Sequence, residues 1–148
     1  MAGPLTLLPA SDEVLRHALQ QTTTIAVVGA SPRATRHSHQ VMEAAQNAGY
    51  HALPVNPSQA GREILGERVV ASLAEVDTPL QIVDIFRKSA VAGEAIDQAI
   101  AHKDRLGVCV VWLQLGIRDE AAEERARAAG LIVVTDRCLA VEIRRLRT

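Results

Sequence analysis

The chain has 148 residues, of which 48% are hydrophobic, and its 16 basic and 17 acidic side chains leave a formal net charge of −1. This length and apolar content predict a single domain over residues 1–148, with a core large enough to fold alone. The near balance of charge excludes the strong field that draws a protein onto nucleic acid or an anionic membrane, so any anion site has to be local.

Helices and strands alternate along the chain, as judged from apolar periodicity and from helix-capping residues. Ser11 begins an N-terminal helix over about 11–21, and Gly49 ends the second helix as a left-handed cap. The other predicted elements are a strand at 24–29, a helix at 38–48, a strand at 51–55, a turn-rich loop at 55–70, a strand at 80–86, a helix at 89–103, a strand at 107–113, a helix at 119–129, a strand at 131–135 and a helix at 139–146.

Three of these strands are near-continuous apolar runs, which is typical of strands covered on both faces of a parallel sheet. With right-handed crossovers, the alternation predicts an α/β fold: a Rossmann-like, doubly wound open sheet of about five parallel strands in a three-layer α/β/α arrangement. The helix at 11–21 precedes this core of about 24–148. Ligands of such sheets lie beyond the carboxyl ends of the strands.

No apolar run approaches the roughly 20 residues that a membrane-spanning helix needs. The start of the chain, MAGPLTLLPASDE, lacks the basic segment and the long apolar core of a signal peptide. We therefore expect a cytoplasmic protein that has no membrane partner. Its two cysteines show no metal-ligand spacing, so both are predicted to be reduced thiols, with Cys109 inside a strand and in the core.

The turn after the first strand, GASPRATRHS, has the character of a phosphate loop. Gly29 permits a sharp turn that leaves backbone N–H groups near a helix N-terminus, where anions are favoured. Ser31 and Ala34, however, stand where a dinucleotide loop has its second and third glycines. The second strand ends in Asn56-Pro57, without the acid that holds the ribose of NAD, so NAD is disfavoured.

Arginines follow several strands, at Arg33, Arg36, Arg62 and Arg87. Each alone is more often a solvated surface charge than a ligand. Their common location at one rim of the predicted sheet favours a ligand with more than one phosphate, held by guanidinium groups and backbone N–H groups.

Several short motifs together resemble a known family: VVGASP, RHS, PVNP, REILGE, VDIFR, WLQLG and DRC. In this order, from about Thr24 onward, they resemble the small standalone CoA-binding proteins, whose domain is similar to the CoA-binding domain of succinyl-CoA synthetase α subunits. The resemblance implies that the chain binds coenzyme A or acyl-CoA through its ADP half. Where the family has Arg-Pro-Ser, this chain has Arg36-His37-Ser38, which removes a helix-starting proline and loosens that turn.

The resemblance also implies roles for residues at the strand exits. Its pyrophosphate loop corresponds to Gly29, Ala30 and Ser31 with Arg36 and Ser38, and its segment near the ribose and 3′-phosphate to Asn56, Pro57 and Arg62. Phe86 and Arg87 match the part near the adenine. Gln114, Leu115 and Gly116 match the loop where the pantetheine leaves.

Other residues suggest metal binding or acid–base or thiol chemistry, but each also has an ordinary structural explanation. His37 and His39 with Glu43 suggest a metal set, but only His39 and Glu43 share a helical face, and two ligands without a third do not predict a metal site. Cys138, at the start of the last helix, is either a small buried residue or a thiolate favoured by the helix N-terminus. Asp84, inside an apolar strand, is either a hydrogen-bond acceptor that fixes a loop or a site acid.

No nucleophile, base and orienting acid can be assembled from the sequence, so no catalytic residue is predicted. The synthetases also use a phosphorylated histidine in a second domain that has no counterpart in this chain, so ligase chemistry does not transfer. We expect a CoA-binding or acyl-CoA-binding protein without turnover of its own. The alternatives are an NAD(H)- or other nucleotide-binding redox module or enzyme, and a ligand-free interaction subunit. The sequence does not predict the oligomeric state.

Overall fold

The computed structural model describes residues 10–147, so most of the segment interpreted as lacking a signal peptide lies outside the described residues. The helices are α1 (Asp12–Gln21), α2 (His37–Asn47), α3 (Ser89–Ala101), α4 (Lys103–Leu106), α5 (Glu120–Ala128) and α6 (Leu139–Leu146). The strands are β1 (Thr24–Val28), β2 (His51–Val55), β3 (Glu63–Ile64), β4 (Glu67–Arg68), β5 (Ile82–Ile85), β6 (Val110–Leu113) and β7 (Ile132–Val134).

Five of the strands form one parallel sheet in the order β2-β1-β5-β6-β7. Val70 makes an isolated parallel bridge to Val55 on the outer side of β2, so its segment takes the place of a third strand in the Rossmann order. The chain runs outward from β1 to β2 and then returns to β5 on the other side of β1. The predicted Rossmann-like open sheet is confirmed, and its switch point lies between β1 and β5.

Helices cover both faces of the sheet, which explains why the strands are mostly apolar on both sides. On one face, Ile25 and Val27 of β1 belong to an apolar cluster with α1, α2 and α6. On the other, Ala26 and Val28 belong to a cluster with α3 and α5. Burying an aliphatic side chain in such a core contributes roughly 1.5–3 kcal/mol. The site at the strand ends therefore rests on a rigid three-layer body.

Helix α1 is joined to α6 as part of the same layer. Ser11 caps α1 by accepting a hydrogen bond from the Val14 N–H group at 3.3 Å. From α6, Arg145 donates two hydrogen bonds to the Asp12 carboxylate, at 2.8 and 2.7 Å. These bonds are the main reason that the pKa of Asp12 falls to about 2. The N-terminal helix predicted over 11–21 is thus present.

The structure differs from expectation in several places, and one is the short helix α4 that follows the helix predicted over 89–103. The loop at 55–70 contains the antiparallel hairpin of β3 and β4. The strand expected at 107–113 begins only at Val110, because Gly107 ends α4 in a left-handed conformation with φ of +85°. Cys109 therefore precedes the strand and is exposed, so its predicted place in the core was wrong.

Within residues 10–147, none of the helices is both long enough and apolar enough to cross a bilayer.

Candidate functional site

Gly29 lies where the end of β1 passes close to the end of β5. Its φ is +89°, and a Cβ atom at this position would be 2.7 Å from the Phe86 carbonyl oxygen. Backbone hydrogen bonds link the ends of the neighbouring strands: Gly29 N–H donates to Val55 O at 2.8 Å, and Phe86 N–H donates to Val28 O at 2.8 Å. A residue other than glycine would be strained and crowded here. The fold itself requires this glycine, whether or not a ligand is bound.

Asn56 links the end of β2 to the turn after β1 through hydrogen bonds. Its buried carboxamide donates to the Ala30 carbonyl oxygen at 2.9 Å and accepts hydrogen bonds from the N–H and hydroxyl of Ser58 at 3.0 and 2.9 Å. Ala30 is buried as well. Both residues were predicted to bind ligand, and in the structure both hold the turn in place.

A cavity of about 430 Å³ opens on the α2 side of the β1–β5 edge. Six residues that the sequence predicts as ligands line it: Gly29, Ser31, Arg33, Arg36, Ser38 and Phe86. Sequence reasoning missed three others in its wall, namely Pro32, His37 and Gln59. Pro32 and His37 adjoin predicted residues, and Gln59 lies in the turn-rich loop. The sequence marks His37 only as a member of an incomplete metal set, and it marks neither Pro32 nor Gln59 as a ligand.

The N-terminus of α2 gives this cavity an anion-binding character. Arg36 occupies the N-cap position and makes no capping hydrogen bond with its side chain, and the first turn contains no acidic residue. The first N–H groups of a helix have no intrahelical acceptor, and the helix dipole is positive there. The exposed arginines Arg33 and Arg36 add two positive charges to the same wall. Amide donors and guanidinium groups in this arrangement suit a phosphate.

A smaller cavity of about 80 Å³ lies on the α3 side of the same edge. It contains two further predicted residues, Pro57 and Arg87, beside the apolar side chains of Val28 and Val55. The arginines expected along one rim are thus divided between the two faces of the sheet. Arg62 lines neither cavity: its guanidinium donates to the Gln59 amide oxygen at 3.3 Å, on the wall of the larger cavity.

The loop after β6 carries the remaining predicted residues. Gln114 is buried, and its amide group donates to the Asp84 carboxyl at 2.7 Å. Gly116 accepts a hydrogen bond from the Ser89 hydroxyl at 3.5 Å, and Leu115 is 58% exposed. These three residues do not line the larger cavity. Leu115 instead presents an apolar surface to solvent beyond the sheet edge.

Asp84 is fully buried in the sheet, which favours the neutral form of its carboxyl. Its complete burial raises its pKa to about 8, although the hydrogen bond from Gln114 acts in the opposite direction. One carboxyl oxygen of Asp84 and the amide oxygen of Gln114 are buried without a hydrogen-bond partner among residues 10–147. Two buried oxygens thus lie unpaired in the sheet near its carboxyl edge, and in a neutral Asp84 one of them carries the proton.

His37 connects the larger cavity to Cys138. The imidazole packs edge-on against the Phe86 ring, with 5.7 Å between ring centroids. Its Nε2 atom lies 3.4 Å from the Cys138 sulfur, although the two residues are 101 positions apart in the chain. In the described part of the chain, no three His, Cys, Asp or Glu side chains are grouped to hold a metal ion.

A parallel doubly wound sheet with an anion-suited cavity at its switch point defines the class of nucleotide-binding α/β proteins. Residues 23–144 match the family model of a CoA binding domain, and the chain belongs to this family. Family membership supports CoA binding in general.

Similar proteins occur in bacteria and archaea. YneT of Bacillus subtilis (strain 168) is 37% identical over 127 residues, which are 86% of this chain and 90% of YneT. The structure of cell-free ID.343 from Thermus thermophilus has 41% identity and a TM-score of 0.85, covering 92% of this chain and 98% of that one. A hypothetical protein from Pyrococcus horikoshii OT3 has 34% identity and a TM-score of 0.86, covering 100% and 99%.

Proposed function

We propose that this protein binds coenzyme A or acyl-CoA through its ADP moiety at the β1–β5 switch point. The observation that carries the proposal is the cavity of about 430 Å³, in which the Gly29 turn, the uncapped start of α2 and two arginines face one space. Family membership supports the same ligand.

In this proposal the ligand crosses the sheet edge at Gly29. The pyrophosphate lies against the Gly29–Ser31 turn and the first N–H groups of α2. The adenosine extends toward the smaller cavity, whose lining combines Arg87, Glu94 and Gln98 with apolar side chains. The pantetheine arm runs past His37 toward the loop at Gln114 and the exposed Leu115. The two cavities therefore accommodate different parts of one ligand.

The 3′-phosphate is assigned to Arg62, which already contacts the cavity wall through Gln59. An NAD(H) site is less well supported. The residue after β2 is an amide whose oxygen accepts two hydrogen bonds from Ser58 and whose nitrogen holds the first turn. It therefore lacks the free carboxylate that binds a ribose diol.

The protein is proposed to bind without catalytic turnover of its own. The wall of the larger cavity offers amides, hydroxyls, guanidinium groups and one imidazole, that of His37, but no carboxylate to orient that imidazole. Catalytic turnover of the acyl group is then supplied by a partner.

Calorimetric titration of the purified protein with CoA, 3′-dephospho-CoA and NADH tests the proposal. CoA is expected to bind most tightly. Dephospho-CoA should bind more weakly by about tenfold or more, because charge-assisted hydrogen bonds contribute about 1.5–3 kcal/mol. Equal affinity for CoA and dephospho-CoA would contradict the assignment of a 3′-phosphate site. Tighter binding of NADH would favour a redox module. No binding of any of the three would favour an interaction subunit.

A further inference from the structure

We infer that Cys138 accepts the acyl group of a bound acyl-CoA, with His37 transferring the proton, so that the protein becomes loaded with one acyl group as a thioester. The inference rests on the proposed function, because it requires the pantetheine arm to pass His37. It differs from turnover, since the step ends with an acylated protein.

The two side chains are already placed for a proton transfer. His37 Nε2 and Cys138 Sγ are 3.4 Å apart, within the distance of a hydrogen bond to sulfur. His37 lines the larger cavity, and the Phe86 ring packs against its imidazole. Cys138 is partly exposed. A thioester that lies beside His37 is therefore also beside a nucleophilic thiol.

The start of α6 provides a site for the negative charge of the reaction intermediate. Cys138 is the N-cap residue of this helix, and its side chain makes no capping hydrogen bond. The first N–H groups of a helix have no intrahelical acceptor and stabilise an oxyanion that forms beside them. The acid in this first turn, Glu142, is paired with Arg137 and Arg145. The Trp112 indole donates to the Arg137 carbonyl at 2.9 Å and so holds the residue before Cys138. This feature favours acyl transfer over disulfide exchange, which develops no oxyanion.

Two buried polar side chains lie behind this end of the sheet, outside the lining of the larger cavity. Asp84 and Gln114 each have a buried oxygen without a hydrogen-bond partner in the described part of the chain. Asp84 is next to Trp112 in the strand register, and it lies two residues before Phe86, on the sheet face that α2 and α6 cover. Buried polar groups are normally paired. Neither side chain lines a cavity at the β1–β5 edge, so the pair is a polar part of the core behind the site and makes no contact with the pantetheine arm.

The reaction balances without a redox partner. His37 Nε2 removes the thiol proton, and the sulfur of Cys138 forms a bond to the thioester carbonyl carbon. The bond between that carbon and the CoA sulfur then breaks, and the proton passes from His37 to the CoA thiolate. One thioester replaces another, so the products are S-acyl-Cys138 and free CoA.

Intact-protein mass spectrometry after incubation with acetyl-CoA tests this inference, with neutral hydroxylamine used to identify a thioester. We expect one acetyl adduct on Cys138, none in Cys138→Ser, and an unchanged rate in Cys109→Ser, which removes the exposed cysteine outside the site. His37→Gln should slow the adduct by about 100-fold, the typical contribution of a general base.

CoA titration of the same preparations separates the two proposals. If the wild type and Cys138→Ser bind CoA equally well but the wild type forms no adduct, acyl transfer is wrong and the binding function stands. An adduct that forms equally fast on Cys109, or at an unchanged rate in His37→Gln, also overturns the inference. If CoA does not bind at all, the proposed function fails, and this inference fails with it.

Discussion

Gly29 and Phe86 approach so closely that the glycine has no room for a side chain. A Cβ atom on Gly29 would lie 2.7 Å from the Phe86 carbonyl oxygen and 3.1 Å from Cδ of Arg87. The ends of β1 and β5 meet here, so this contact sets the shape of the edge on which the ligand is proposed to bind.

Gly29→Ala is therefore expected to destabilise the protein by more than about 2 kcal/mol, combining a positive-φ cost with a backbone clash. Gly49→Ala is the matched control, because Gly49 also has a positive φ, +99°, but a Cβ there meets nothing within 4 Å. It should cost only about 1 kcal/mol. Urea unfolding measures both, and equal losses would show that the strand ends separate easily.

Arg36→Ala is expected to weaken CoA binding by about 10–100-fold, because a guanidinium beside the α2 N-terminus is removed from the proposed phosphate site. Arg144→Ala is the control, since this arginine is exposed on α6 and lines neither cavity at the β1–β5 edge. Calorimetry of both variants checks the prediction. An equal loss in the two would indicate a general charge effect and no site at α2.

Arg62→Ala is expected to weaken CoA by about tenfold while leaving 3′-dephospho-CoA nearly unchanged. The reason is the proposed contact of Arg62 with the 3′-phosphate. Titration with the two ligands isolates this contact, because they differ only in that group. The assignment is wrong if both affinities fall together.

Asp84→Asn is expected to remove a pH dependence of stability. Burial raises the pKa of Asp84 from 3.8 to about 8 in the folded protein, so the unfolded state loses its proton first as the pH rises. The contribution of Asp84 to the free energy of unfolding is largest below about pH 4. It falls by about 1.4 kcal/mol per pH unit as the pH rises from there to about 8.

Urea unfolding at pH 5 and pH 8 measures this effect as the difference between the wild type and Asp84→Asn. Asp97→Asn serves as the control, because Asp97 is exposed and pairs with Arg125 at the surface. Identical pH slopes in the wild type and Asp84→Asn would mean that Asp84 is ionised in the folded state.

The Asp12 carboxyl is expected to titrate at about pH 2 in the folded protein, chiefly because of its hydrogen bonds from Arg145. This lowered pKa stabilises the protein above about pH 4, and the contribution is lost as the pH falls through about 2. Carboxyl NMR titration measures it directly. In Arg145→Gln the pKa should return toward 3.8, and in Arg144→Gln it should stay low.

Much of the fold could be predicted from local patterns. Alternating apolar runs and helical periodicities indicated the order of elements, and β2 and α6 have the predicted bounds. The edge that carries the candidate site was also predictable, because the carboxyl ends of parallel strands lie on the same side of a sheet. Six of the predicted residues do lie together around one cavity.

The sequence by itself thus determined the sheet, its helical layers and the edge where charged turns gather, since these depend on local periodicity and on the parallel arrangement of strands. Only the tertiary structure decided on which face of the sheet each arginine lies, and that the Asn56 amide donates a hydrogen bond to the Ala30 carbonyl oxygen. It also brought His37 to Cys138 across 101 residues and left Cys109 in solvent. Such contacts depend on strand register and on where each helix ends. Small differences in packing free energy determine both, and a local sequence pattern does not encode them.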